Sequence, residues 1–142
     1  MSSRFDIIAV RNCDHKLCVI ELKKGVGALG GTAGIQAHAE SFVNSIGCNE
    51  DTQKDFVEEM KGLIQLKKMM GLISDEVYID EMLSVEFLYA YQFKVDDKSP
   101  ISEKEQKDTF LKYLNNGEMN GVNYASGRRV LWLKENCFTL MD

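Results

Sequence analysis

Asp6, Glu21 and Lys23 put two carboxylates and an ammonium into segments that otherwise read as strands. Arg-Phe-Asp-Ile-Ile-Ala-Val spans residues 4–10 and Lys-Leu-Cys-Val-Ile-Glu-Leu-Lys spans 16–23, with a short polar turn between them. This pattern predicts a β-hairpin. Side chains alternate along a strand, so Glu21 and Lys23 share a face, and Asp6 shares one with Ile8 and Val10. A two-residue loop at Cys13-Asp14 would set Asp6 across from Glu21, with Cβ atoms about 5 Å apart. A register slip of two residues would keep the shared face, and a slip of one would destroy it.

Two carboxylates that close repel unless a cation lies between them. Mg²⁺ prefers oxygen donors and often takes only one or two carboxylates, completing its shell with water and substrate phosphate. Lys23, one pleat along, is placed to steady negative charge that develops during attack on a phosphate. The constellation therefore predicts a divalent metal, Mg²⁺ or Mn²⁺, and a water nucleophile. The plainer alternative is a surface hairpin face carrying cross-strand ion pairs.

Other elements must hold this hairpin in place. Residues 24–34 form a glycine-dense loop, and Ile35, Ala39, Phe42, Val43 and Ile46 then make one helical stripe that Gly47 would end. A second helix is predicted over 51–70. Asp51 or Thr52 would cap it, Phe56, Met60, Leu63, Ile64 and Met70 would line its buried side, and Gly71 would stop it. A short helix is expected over 74–83. A strand is expected over 84–95, with Val85, Phe87, Tyr89, Tyr91 and Phe93 on one face. After a turn at 96–101, Ser102 and Glu105 form a capping box opening a helix to about Asn115. A loop over 116–127 and two last strands, 129–134 and 138–141, turning at Glu135-Asn136, complete an α/β pattern.

The hairpin resembles the PD-(D/E)xK nucleases of the restriction-endonuclease-like superfamily. These carry an Asp in one strand and Glu-x-Lys in the next, as Asp6-Ile7-Ile8-Ala9-Val10 and Val19-Ile20-Glu21-Leu22-Lys23 do here. Many members place a Gln near the start of the following helix, where Gln36 stands. The resemblance implies that Asp6 and Glu21 bind metal, Lys23 assists the nucleophile and Gln36 orients the site. It also implies a mixed central β-sheet flanked by helices, and phosphodiester hydrolysis, with DNA as the expected nucleic-acid partner. Members usually have a helix and a strand before the Asp strand, whereas only five residues precede Asp6. A longer chain, a partner or second copy in a homodimer, or the C-terminal strands would then supply those elements. A catalytically inactive nuclease-like interaction module within a larger assembly is the alternative.

Rival motifs carry less. Gly25-x-Gly27-x-x-Gly30 matches a dinucleotide fingerprint, but its strand ends Glu-Leu-Lys-Lys and its helix starts too late to receive a pyrophosphate. Cys13, His15 and Cys18 are poorly spaced for zinc, and the four cysteines read as free thiols. His38 reads as packed or surface, although a site base is conceivable. Glu40 shares the face of Gln36. Lys54, Lys61, Lys67, Lys68 and Arg128-Arg129 read as ordinary surface, and the aromatic strand reads as core.

At 142 residues the chain is long enough for one domain with a real core. A net charge of −5 gives little non-specific grip on nucleic acid, so a localised basic patch or another module would have to supply it. No apolar run approaches the roughly 18 residues of a membrane span. The N-terminus lacks the basic and then apolar blocks of a signal peptide, so a cytoplasmic location is expected.

Overall fold

The computed structural model describes residues 5–29, 34–47, 49–94, 101–115, 130–134 and 137–141. Its first two strands, β1 (Ile7–Val10) and β2 (Leu17–Lys24), pair antiparallel with Ile7 opposite Ile20 and Val10 opposite Leu17. This is the predicted register, reached through a longer loop than expected. The Arg11 N–H donates to the Lys16 carbonyl at 2.9 Å, the His15 N–H donates to the Arg11 carbonyl at 2.8 Å, and His15 takes a left-handed φ of 60°. The loop therefore runs from Asn12 to His15. Lengthening it by one residue at each end leaves the pairing unchanged.

The Arg11 side chain staples that loop. Its guanidinium donates to both Asp14 oxygens at 3.0 and 2.6 Å and to Glu86 Oε2 at 2.7 Å. The hydrogen bond to Arg11 holds the Asp14 carboxyl down at about 2.

The chain continues through α1 (Ile35–Phe42), which passes directly into a wider π-type turn at Val43–Gly47. Ile35, Ala39, Phe42 and Ile46 are buried, as their spacing predicts. Next comes α2 (Glu50–Met69), capped by Asn49 rather than by Asp51 or Thr52: Asn49 Oδ1 accepts the Thr52 N–H at 2.8 Å. Gly71, at φ +70°, ends it in a Schellman arrangement, with the Leu72 N–H donating to the Lys67 carbonyl at 2.9 Å. The buried side of α2 matches the expected one in part. Met60 is buried and Phe56 and Ile64 pack against the core, joined by Val57, while Leu63 and Met70 are 43% and 63% exposed.

Residues 74–83 form turns, not the expected helix. Tertiary contacts decide this. The Asp80 N–H donates to the His15 carbonyl at 2.8 Å, and the Tyr78 ring stacks on His15 with centroids 3.7 Å apart. The segment thus lies as a strap on the hairpin loop.

The strap leads into β3 (Glu86–Gln92), shorter than the predicted 84–95 and followed by α3 (Glu103–Asn115), β4 (Val130–Lys134) and β5 (Cys137–Met141). Ser102 caps the helix as expected, its Oγ accepting the Glu105 N–H at 3.1 Å. The predicted turns at 96–101 and Glu135-Asn136, the loop over 116–127 and Arg128-Arg129 lie wholly or mainly outside the described residues.

The strands form one mixed sheet in the order β1-β2-β3-β4-β5. The inner pairs β2–β3 and β3–β4 are parallel, and the outer pairs are antiparallel. Phe87, Tyr89 and Tyr91 project from one face of β3 and make the core. Phe87 stacks on Phe42 of α1, while Tyr89 and Tyr91 meet Phe110 of α3 edge-on. Glu86, on the opposite face, belongs to the Arg11 staple.

Gln106, which sequence reading did not single out, is a buried junction between β3 and α3. Its Oε1 accepts from the Tyr91 hydroxyl at 2.7 Å and from the Lys94 N–H at 3.1 Å. Its Nε2 donates to the Lys94 and Ile101 carbonyls at 2.9 and 3.0 Å. Truncation would strand several buried groups together, so Gln106→Ala is expected to cost about 2–3 kcal/mol in urea denaturation. A loss below about 1 kcal/mol, the net worth of one ordinary hydrogen bond, would show that the junction does not brace the fold.

Candidate active site

Glu21 and Lys23 lie in the C-terminal half of β2, on the face that carries the aromatic core. Parallel pairing sets Glu21 beside Tyr89 and Lys23 beside Tyr91. Both charged residues are buried, with 4% and 6% of their surface exposed. Lys23 Nζ stands 3.9 Å from Glu21 Oε1.

Asp6 completes the group from just before β1. Strand pairing begins at Ile7, and Asp6 sits in a bend. Phe5 packs against Phe42 and Phe87, so it reaches the helix-covered face instead of continuing the alternation of β1. The Asp6 carboxylate accepts the Leu22 N–H at 2.9 Å and lies close enough to Glu21 to raise its pKa. Asp6 is exposed, which leaves this side of the group facing solvent.

The fourth member comes from α1. The Tyr89 hydroxyl donates to the Ile35 carbonyl, pinning the first turn of α1 over the sheet. One turn on from Ile35, His38 places Nε2 3.2 Å from Glu21 Oε1. Sequence reading favoured a packed or surface role for His38. Its spacing of three from buried Ile35 was the available signal, but the position of α1 over Glu21 is a tertiary fact. Gln36, assigned an orienting role by the resemblance, is exposed on α1. Among the described residues it makes no hydrogen bond with Asp6, Glu21 or Lys23.

Burial first, and the Asp6 carboxylate second, push the Glu21 carboxyl up to about 7, against the pull of Lys23. Burial also lowers the Lys23 ammonium, opposed by the two carboxylates. Glu21 Oε2 is buried without a hydrogen-bond partner. An unpaired buried carboxylate oxygen beside a second carboxylate fits a small divalent cation. The donor set is minimal, because no group of three or more His, Cys, Asp or Glu suited to a metal occurs among the described residues. Two carboxylates suffice for Mg²⁺ or Mn²⁺ only where water and a substrate phosphate complete the shell.

The rival motifs resolve differently. Gly25, at φ +69°, turns the chain out of β2, its N–H donating to the Gln92 carbonyl at 3.1 Å. A Cβ there would lie 3.1 Å from the Lys94 side chain. This glycine has a backbone reason to be present that needs no nucleotide. His15 is occupied by its stack on Tyr78, while Cys18 is buried and its Sγ approaches the Lys16 carbonyl at 3.6 Å.

No protein-family model, curated protein or solved structure matches the chain. Among the described residues, no helix is long and apolar enough to cross a membrane.

Glu21 yields a pH prediction for the metal-free protein. Its folded pKa lies above its ordinary value of 4.5, so folding binds its proton more tightly. That contribution is complete below about pH 4.5 and fades as pH rises through about 7. Wild type should therefore lose on the order of 2 kcal/mol between pH 5 and pH 8 relative to Glu21→Gln, measured by urea denaturation in EDTA. Parallel pH profiles for the two proteins would show that the Glu21 carboxyl titrates normally.

Proposed function

We propose that this chain is a metal-dependent phosphodiester hydrolase of the PD-(D/E)xK kind, acting on DNA. The observation that carries the reading is the buried Glu21 carboxylate, one oxygen unpartnered, beside Asp6 and Lys23. Such an arrangement raises the energy of the fold without a ligand and lowers it with a cation. The site also lies toward the C-terminal end of a parallel strand, where open α/β sheets commonly bind ligands.

In this reading Asp6 and Glu21 hold Mg²⁺ or Mn²⁺. The ion, when bound, supplies Lewis acidity toward a phosphate oxygen and the attacking water. Lys23 compensates negative charge as water oxygen adds to phosphorus and the bond to the leaving sugar oxygen breaks. Its burial strengthens that interaction and limits its loss to solvent. His38 faces Glu21 from α1 and fixes the orientation of that carboxylate. The restriction-endonuclease-like fold accords with the mixed sheet and its helical crossovers.

A second reading is a catalytically silent nuclease-like module acting within an assembly. The near-complete burial of Glu21 and Lys23 favours it, since of the four grouped residues Asp6 alone is exposed and His38 is partly so.

Cleavage of supercoiled and single-stranded DNA distinguishes the two. With Mn²⁺ or Mg²⁺, wild type should cut, and cutting should fall roughly a hundredfold or more in a folded Lys23→Ala variant and vanish in EDTA. The same ions should raise the melting temperature of wild type but not of Glu21→Ala. A folded wild type that leaves both DNAs intact and gains no stability from metal would overturn the nuclease in favour of the module.

A further inference from the structure

We propose that the outer edge of β1, together with the exposed apolar end of α2, binds a second copy of this chain. This inference is independent of the nuclease reading. It rests on an edge strand, the groove beside it and the helix above it.

β1 is the first strand of the sheet, so one of its edges has no neighbour in the described sheet. Hydrogen-bonded and non-hydrogen-bonded pairs alternate in an antiparallel ladder. Counting from the bond between Arg11 and Lys16, residues 11, 9 and 7 turn their backbone groups toward β2. Ile8 and Val10 therefore direct their N–H and C=O groups outward. Edges that resist pairing carry charges, prolines or bulges. The strand Ile-Ile-Ala-Val has no charge and no proline, and Ile7 and Ile8 are 37% and 42% exposed, on its two faces.

The helix above runs toward this edge. Gln53, in the first turn of α2, accepts the Val85 N–H at 3.2 Å beside the start of β3. Further along, Met60, Leu63, Ile64 and Lys67 line a groove of about 200 Å³ with Ile8, Val10 and Leu17 of the hairpin, and Ile73 and Val77 from the segment after α2 line it too. The helix thus travels from β3 toward β1. At and just beyond its end, Leu66, Met70 and Leu72 are 53%, 63% and 63% exposed.

A second copy fits both features at once. A two-fold axis perpendicular to the sheet sets β1 antiparallel to its mate, with Ile8 opposite Val10 of the second copy. The outward backbone groups then pair. The same axis leaves both helical layers on one side and turns the two exposed α2 ends toward each other. Ile8, Leu63, Leu66, Met70 and Leu72 expose on the order of 500 Å² per copy, close to the apolar share of the roughly 800 Å² that each partner buries in a standard interface. An isologous contact of this kind closes at two copies.

The test is sedimentation equilibrium of the full chain from about 1 to 100 μM, a range that brackets weak to moderate association. Wild type should be dimeric at the upper end. Leu66→Glu combined with Met70→Glu should raise the dissociation constant at least tenfold while circular dichroism stays native. Ile8→Pro, which removes an outward N–H without breaking the β1–β2 ladder, should do the same. Leu111→Glu, on the exposed side of α3, should leave dimerisation unchanged. A monomer at 100 μM overturns the proposal. So does a dimer that tolerates both the α2 and the β1 changes.

Discussion

Seven consecutive residues of β2 pair in parallel with seven of β3, from Cys18 beside Glu86 to Lys24 beside Gln92. Parallel neighbours require a long crossover, and the chain supplies it as α1, α2 and the strap over 74–83. The next crossover, from β3 to β4, is α3. Both bury their apolar sides against the aromatic residues of β3, so the ladder Phe87, Tyr89, Tyr91 serves as floor for the helical layer. The same pairing sets the site. Glu21 lies beside Tyr89, the Tyr89 hydroxyl holds the Ile35 carbonyl, and α1 then carries His38 to Glu21.

The molecule contains two charged groups of opposite character on the two faces of β2 and β3. On one face Arg11 is matched to Asp14 and Glu86 by three close hydrogen bonds, with Lys16 3.8 Å from Glu86. Those contacts close a loop and join a hairpin to the strand at its far side. On the other face Glu21 is crowded by Asp6, flanked by Lys23 at 3.9 Å and left with one oxygen unpartnered. Buried polar groups are ordinarily satisfied, so the exceptions carry information. The Arg11 group has the completeness of a structural staple. The Glu21 group resembles a binding site, where a carboxyl displaced to about 7 and a destabilised ammonium share one small volume.

Local patterns survived into the fold where no distant contact competed with them. The hairpin register, the stripe of α1 and the Ser102 cap depend on neighbours within a few residues. Parity along β2 also showed that Glu21 and Lys23 share a face. The failures have tertiary causes. Residues 74–83 have helix-compatible sequence, yet His15 offers a backbone acceptor and a ring surface that turns can use and a helix cannot. The face of α2 was misjudged only in part: Phe56, Met60 and Ile64 meet the core, whereas Leu63 and Met70 share the apolar stripe but remain exposed. Gln106 and His38 are polar residues on helices; the spacing of His38 from Ile35 hints at its face, but neither spacing reveals that Tyr91 and Glu21 lie across the interface.

Burial and reach pull the site in opposite directions. Enclosing Glu21 and Lys23 strengthens every charge interaction inside and disfavours both ionised forms. It also hides them from a polymer as thick as DNA. Asp6 relieves part of this conflict because it sits in a bend before β1, exposed, with one oxygen already held by the Leu22 N–H. Under the proposed metal-dependent reading, a cation at Asp6 would extend to the unpartnered oxygen of Glu21 and its charge would draw the Glu21 proton off. The exposed carboxylate would then be the doorway and the buried one the anchor. Affinity for that cation would strengthen as Glu21 ionises, tying occupancy to the titration that burial has moved to about 7.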